Sequence, residues 1–144
     1  MAFSGNFLCT SFKKELMEAK HNFTAASDVF KLALYDNNAS FTAATTAYTS
    51  SNEISGTNYT AKGQFLTSVT PSISSTTALT DFADEIFSNV TISGVRGALI
   101  YNEAATSDPS VCVLDFGGDK SASSGDFTIV FPAAGASTAI IRIA

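Results

Sequence analysis

The chain has no tryptophan, one histidine, two cysteines and three prolines, and only 15% of its 144 residues are charged. Each shortage excludes something. With His21 as the sole imidazole there is no histidine-rich zinc site, and a Ser-His-Asp arrangement would have to rest on that one side chain. Its place at the end of a helical pattern reads instead as a C-terminal cation or cap. Cys9 and Cys112 are far apart and have no CxxC neighbour, so they read as two buried or half-buried free thiols, a single disulfide being the alternative. No window approaches ~18 uninterrupted apolar residues. The opening MAFSGNFLCTSFKK lacks the basic start and continuous apolar stretch of a secretory signal, so a soluble chain made in the cytoplasm is expected. The Asn-x-Ser/Thr triplets at Asn22, Asn38, Asn58 and Asn89 are then expected to be bare.

Positive charge is also scarce. Eight basic against thirteen acidic residues give a net charge of −5, which disfavours nucleic acid or an anionic membrane as partner, since both are bound through clustered Lys and Arg. The closest approach to a cluster, Lys13-Lys14, stands beside Glu15 and Glu18 and reads as a solvated helix face.

What the chain does have is 45% hydrophobic residues, 12 Phe and a polarity supplied by Ser, Thr and Asn. The length suits one domain, 1–144, with one core. It divides into an arm at 1–8, a helix at 11–21 and strands with loops over 28–143. Phe12, Leu16 and Ala19 recur at helical spacing, extended by Met17 and Phe23, with Thr10 or Ser11 as cap and Asn22 as stop. From Asp28 the period becomes two. Phe30, Leu32 and Leu34 oppose Lys31 and Ala33 in a half-buried strand that ends at Asp36-Asn37-Asn38. Residues 37–60 read as a long surface excursion with a helical turn at 43–48. Strand patterns follow at 64–70, 77–82, 85–92, 97–101, 110–116, 126–131 and 138–143. These predict a mainly β fold, an antiparallel β-sandwich or barrel carrying one N-terminal amphipathic α-helix. Val111-Cys-Val-Leu and Ile140-Ile141 are apolar on both faces, as expected if the second face meets the helix or another subunit.

Motifs that could carry chemistry mostly dissolve. Asp81, Asp84 and Glu85 could bind a cation or exchange protons, but read better as polar positions leading into a strand. Asp115-Phe-Gly117 matches a kinase triplet without the rest of a kinase. The stretch LDFGGDKSASSGDFTIVFP offers neither a phosphate cradle nor a calcium loop, because a β run follows it and no distal Glu appears. It reads as a hairpin: strand, a glycine- and serine-rich loop from Gly117 to Gly125, strand.

The order SFKKEL, VFKLALYD, AYTSSNEISGTNYTAKGQ, GALIYN, VLDFGGDKSASSGDFTIVFP and AIIRIA resembles, end to end, a family of small virion structural proteins of tailed bacteriophages. The resemblance implies a jelly-roll-like sandwich acting without catalysis as a capsid decoration, or cement, protein on the virion surface. It also implies the major capsid protein and further copies of itself, as homodimer or homotrimer, as partners. No cofactor and no catalytic residue are implied. Such a protein adheres to many equivalent lattice sites through small contacts. Candidate interface residues are Phe3, Phe7 and Leu8 of the arm, which could equally staple the helix to its own core, and Phe41, Tyr48 and Tyr59 of the excursion. A tail, neck or fibre-base component and a carbohydrate- or host-surface-binding module are the alternatives, the latter weakened by the missing Trp.

Overall fold

The computed structural model describes residues 3–25 and 27–144. Its strands are β1 (Phe7–Leu8), β2 (Phe30–Tyr35), β3 (Gln64–Phe65), β4 (Ser68–Ser74), β5 (Thr77–Phe82), β6 (Glu85–Asn102), β7 (Ser110–Ile129) and β8 (Ile141–Ile143), with one helix, α1 (Thr10–Met17). They form a five-stranded sheet, β1-β7-β6-β2-β3, and a three-stranded sheet, β4-β5-β8. Every pairing is antiparallel. The mainly β, sandwich-like architecture with one short helix is therefore the one the strand spacing predicts.

The frame is a hairpin far longer than expected, 18 residues in β6 and 20 in β7. Ser93-Gly94 does not end a strand and Gly117 to Gly125 is not a loop. Val90, Ile92 and Val95 pair with Gly125, Ala122 and Lys120, across register shifts. Asn89, Gly94, Gly117 and Ser124 take positive φ along this ladder, as bulges do. Locally a bulge and a turn carry the same glycine and polar signature, which is why the pattern read as reversals. Past Val113, where the pairing with β1 ends, no described strand covers the outer side of β7. Small residues, Asp119, Lys120, Asp126 and the bulges suit an edge that must not recruit another strand.

All six residues of β2 are buried, not only one face. It lies between β6 and β3, and the excursion covers its second side. That segment is no solvated crossover: Ala39, Phe41 and Ile54 are buried, and bridges tie Glu53 to Tyr35, Ala47 to Pro109 and Thr57 to Thr91. No helix forms at 43–48; a bend closed by Thr45 N–H on the Thr42 carbonyl stands there. Lys31 reaches out of the interior to Glu103 (3.3 Å) with its ammonium 4.5 Å from the Phe65 ring centroid.

The strand expected at 64–70 is divided. Gln64–Phe65 pairs with β2, Ser68–Ser74 belongs to the other sheet, and Leu66-Thr67 is the corner between them. Between the sheets runs a chain of rings: Phe12 on Phe23 (5.9 Å), Phe23 stacked on Phe30 (4.4 Å), Phe30 on Phe82 (5.8 Å), Phe82 on Phe131 (5.7 Å).

Phe12 docks α1, while Met17, predicted in the same stripe, is exposed. The helix is shorter than the predicted 11–21. Ala19 adopts φ 57°, Lys20 N–H donates to Glu15 O and Ala19 N–H to Leu16 O, a Schellman stop two residues before His21. Cys9 occupies the N-cap position and makes no side-chain cap bond, so neither Thr10 nor Ser11 caps the helix as expected.

Candidate functional site

The six candidate interface residues do not gather into one patch. Phe3 and Phe41 are interior side chains. Their rings pack edge to face at 5.8 Å, and Phe41 meets Tyr35 at 4.5 Å. The Phe3 ring also lies so close over Gly97 that a Cβ there would strike it. Phe3 thus packs into the chain's own core against Phe41 and β6, and both residues are withdrawn from the surface. Phe7 and Leu8 form β1, opposite Val113 and Cys112, and with Tyr48 and Tyr59 are half-buried against the core.

Tyr48 and Tyr59 belong to a network the residue pattern does not reveal. Both hydroxyls donate to the Glu53 carboxylate, at 2.6 and 2.9 Å, and the Lys62 amide donates to it at 2.7 Å. Tyr59 Oη in turn accepts from the Leu34 amide (3.0 Å), Tyr35 donates to Thr49 O (2.6 Å) and Tyr101 to Lys62 O (2.8 Å). Lys62 Nζ pairs with Asp108 at 3.1 Å. Burial, reinforced by nearby carboxylates, pushes all four phenols above their ordinary pKa. They stay protonated, as donors that pin the excursion to the sheet.

His21 is not a solvated cation at a helix end. Its side chain is fully enclosed, with Nε2 3.0 Å from Glu15 Oε2 and Nδ1 3.2 Å from Asn102 Nδ2. Asn102 also donates to Asp28 Oδ2 (2.7 Å) and accepts from the Ala104 amide (3.0 Å). Those partners orient the amide, so Asn102 donates to Nδ1 and the imidazole N–H at Nε2 donates to Glu15. Both nitrogens are spent holding His21 between Glu15 and the end of β6.

Asp81 accepts from the Phe82 and Ile140 amides (2.8 and 3.3 Å), and Asp84 from the Phe131 amide (2.8 Å). They tie the end of β5 to the chain leaving β7. Burial raises the Asp81 pKa, the two amides oppose that, and the neighbouring Asp84 charge adds to it. The native carboxyl therefore holds its proton to higher pH than the unfolded one. Below the ordinary aspartate range both are protonated; as pH climbs toward the raised value, the unfolded form ionises first and stability falls. Urea unfolding between pH 3 and 7 should show that falling component in the wild type and a flatter profile in Asp81→Asn. Equal slopes would contradict the assignment.

Cys9 and Cys112 are free and buried, and burial raises both thiols, leaving them protonated and unreactive. Among the described residues no group of three or more His, Cys, Asp or Glu side chains is arranged to hold a metal ion. No helix of theirs is long and apolar enough to cross a membrane.

The surface also carries exposed apolar side chains, Phe65 and Val130 among them. Met17, Ile73 and Ile143 are 85, 79 and 57% exposed. Ile73 and Ile143 both stand opposite Ala78, from its two sides, so Ile73, Ala78 and Ile143 form one row across β4-β5-β8. Beside that row, between α1 and the sheet, lies a groove of about 110 Å³ walled by Leu16, Phe23, Pro71, Leu79 and Ile141 among others. A lone isoleucine in the polar run Ser-Val-Thr-Pro-Ser-Ile-Ser was the available signal. The two-faced apolar strand Val111 to Val113 is buried by its own chain. Compared with known protein families, with characterised proteins and with solved structures, the chain matches none.

Proposed function

We propose that the protein is a non-enzymatic structural component of a tailed-bacteriophage virion, a decoration protein that binds the outside of the capsid shell. The observation that carries this reading is the row of exposed aliphatic side chains on the three-stranded sheet, bordered by an apolar groove. A protein that must be soluble alone yet adhere to a lattice needs a modest apolar contact repeated many times. The order of motifs along the chain supports the same assignment. So does the internal use of the polar side chains: the tyrosines, Glu53, His21 and Asp81 are all engaged in holding loops to the sheets.

Placing a charge in the row tests the proposal. The Ile73→Asp and Ile143→Asp variants should keep the wild-type unfolding midpoint, since exposed substitutions shift stability by about 0.5 kcal/mol or less. Both should bind shells that lack the protein at least tenfold more weakly in co-sedimentation. Undiminished binding by both variants would remove this face from the contact. A tail, neck or fibre-base position is distinguished by copy number, about a dozen per virion against one set per lattice site.

A further inference from the structure

A second opening lies at the end of the sandwich where both sheets have an edge strand, β1 on one and β8 on the other. The cavity there measures about 460 Å³ and is lined on one wall by β1 with the part of β7 it pairs with, on the other by Ile140, Arg142 and Ala144. That volume lies in the range of peptide and small-molecule sites, roughly 300–1,000 Å³. Its side chains are apolar save Asn6 and Arg142, and Asn6 Oδ1 is already taken by the Asp115 amide (2.8 Å). Arg142 is exposed. Among the described residues Lys13, Lys120 and Arg142 make no ion pair, while Lys14, Lys20, Lys31, Lys62 and Arg96 each have a carboxylate within 4.0 Å; of the three without one, Arg142 alone lines this cavity. The outer side of β8 pairs with no described strand, β5 occupying the inner one.

We infer that this seam accepts an extended segment of a partner chain bearing a carboxylate side chain, which adds a strand to β8 and sets the carboxylate on Arg142. Backbone amides and carbonyls on the free edge supply the ladder bonds. The guanidinium fork selects a carboxylate over an amide or a cation. The long polar edge of β7 cannot serve in the same way, because its bulges and charges break the ladder. β8 has no bulge in its pairing with β5, and Ile141 is buried beneath it.

The test is titration of the ¹⁵N-labelled full chain with a blocked six-residue peptide of alternating valine and threonine carrying one glutamate, and with its lysine counterpart. The acidic peptide should shift the amides of residues 6–8 and 141–143 saturably. Arg142→Glu should weaken that binding at least tenfold and should bind the lysine peptide at least tenfold better than the wild type does. Binding that ignores the charge, shifts confined to other strands, or no shift at millimolar peptide would overturn the inference. A dimer of the chain alone that Arg142→Glu dissociates in sedimentation would also overturn it, making a second copy the occupant.

Discussion

Gly63→Ala should cost about 3–5 kcal/mol, one of the largest losses available to a single methyl group. Gly63 has φ 71°, where an L side chain already costs roughly 1–2 kcal/mol. The added Cβ would also fall within the van der Waals envelope of the Leu32 carbonyl and come 2.7 Å from Ala33 Cα. Neither neighbour can yield, because Leu32 and Ala33 are wholly buried in β2, between β6 and β3. Gly63 lies just past the excursion and directly precedes β3, and Leu32 pairs with Gln64, the next residue. Relief therefore requires β3 to separate from β2. Gly118→Ala is the control: open space surrounds the position, and a change within about 0.5 kcal/mol is expected. Urea unfolding of the two variants measures the contrast, and a Gly63→Ala loss below about 1 kcal/mol would mean that the excursion is not held against β2 as described.

Glu53→Ala should cost about 2–4 kcal/mol, because one half-buried carboxylate satisfies two phenols and a backbone amide. Each hydrogen bond to a charged acceptor is worth about 1.5–3 kcal/mol, and a donor left without water pays its desolvation besides. Tyr48 can turn toward solvent and recover part of the loss. The Lys62 N–H and the Tyr59 hydroxyl are packed against the core and recover less. Glu53→Gln, with one acceptor oxygen retained, should lose about half as much. Amide exchange gives the sharper reading: over residues 37–63 protection should drop well ahead of β6 and β7, since the carboxylate is the knot of that segment. Uniform exchange across the chain, with a stability loss under about 1 kcal/mol, would show that the aromatic packing alone holds it.

Period-two alternation made β2 legible as a strand, and the spacing of apolar runs made the sandwich legible, because both depend on local pattern. The β6–β7 hairpin was not, since Gly94, Gly117 and Ser124 bend a continuing ladder while looking like turns. Burial of the excursion was hidden by its Ser, Thr and Asn content. Phe41, Ile54 and the Glu53 network outweigh that composition, but only once β2 and β6 are placed beside them. Helix α1 stops early because Ala19 takes a left-handed conformation that alanine rarely adopts, and His21 then turns inward to Glu15. The exposed row of Ile73, Ala78 and Ile143 joins residues some seventy positions apart. Nothing short of strand register could assemble it, which is why aromatic loop residues were the more visible interface candidates.

The most direct measurement is the number of copies of this chain that purified, expanded phage shells lacking it take up at saturation. A capsid decoration protein would show saturable uptake on the order of hundreds of copies, one set per lattice position, with Ile73→Asp and Ile143→Asp reducing it. Uptake of about a dozen copies, or none, would contradict that role.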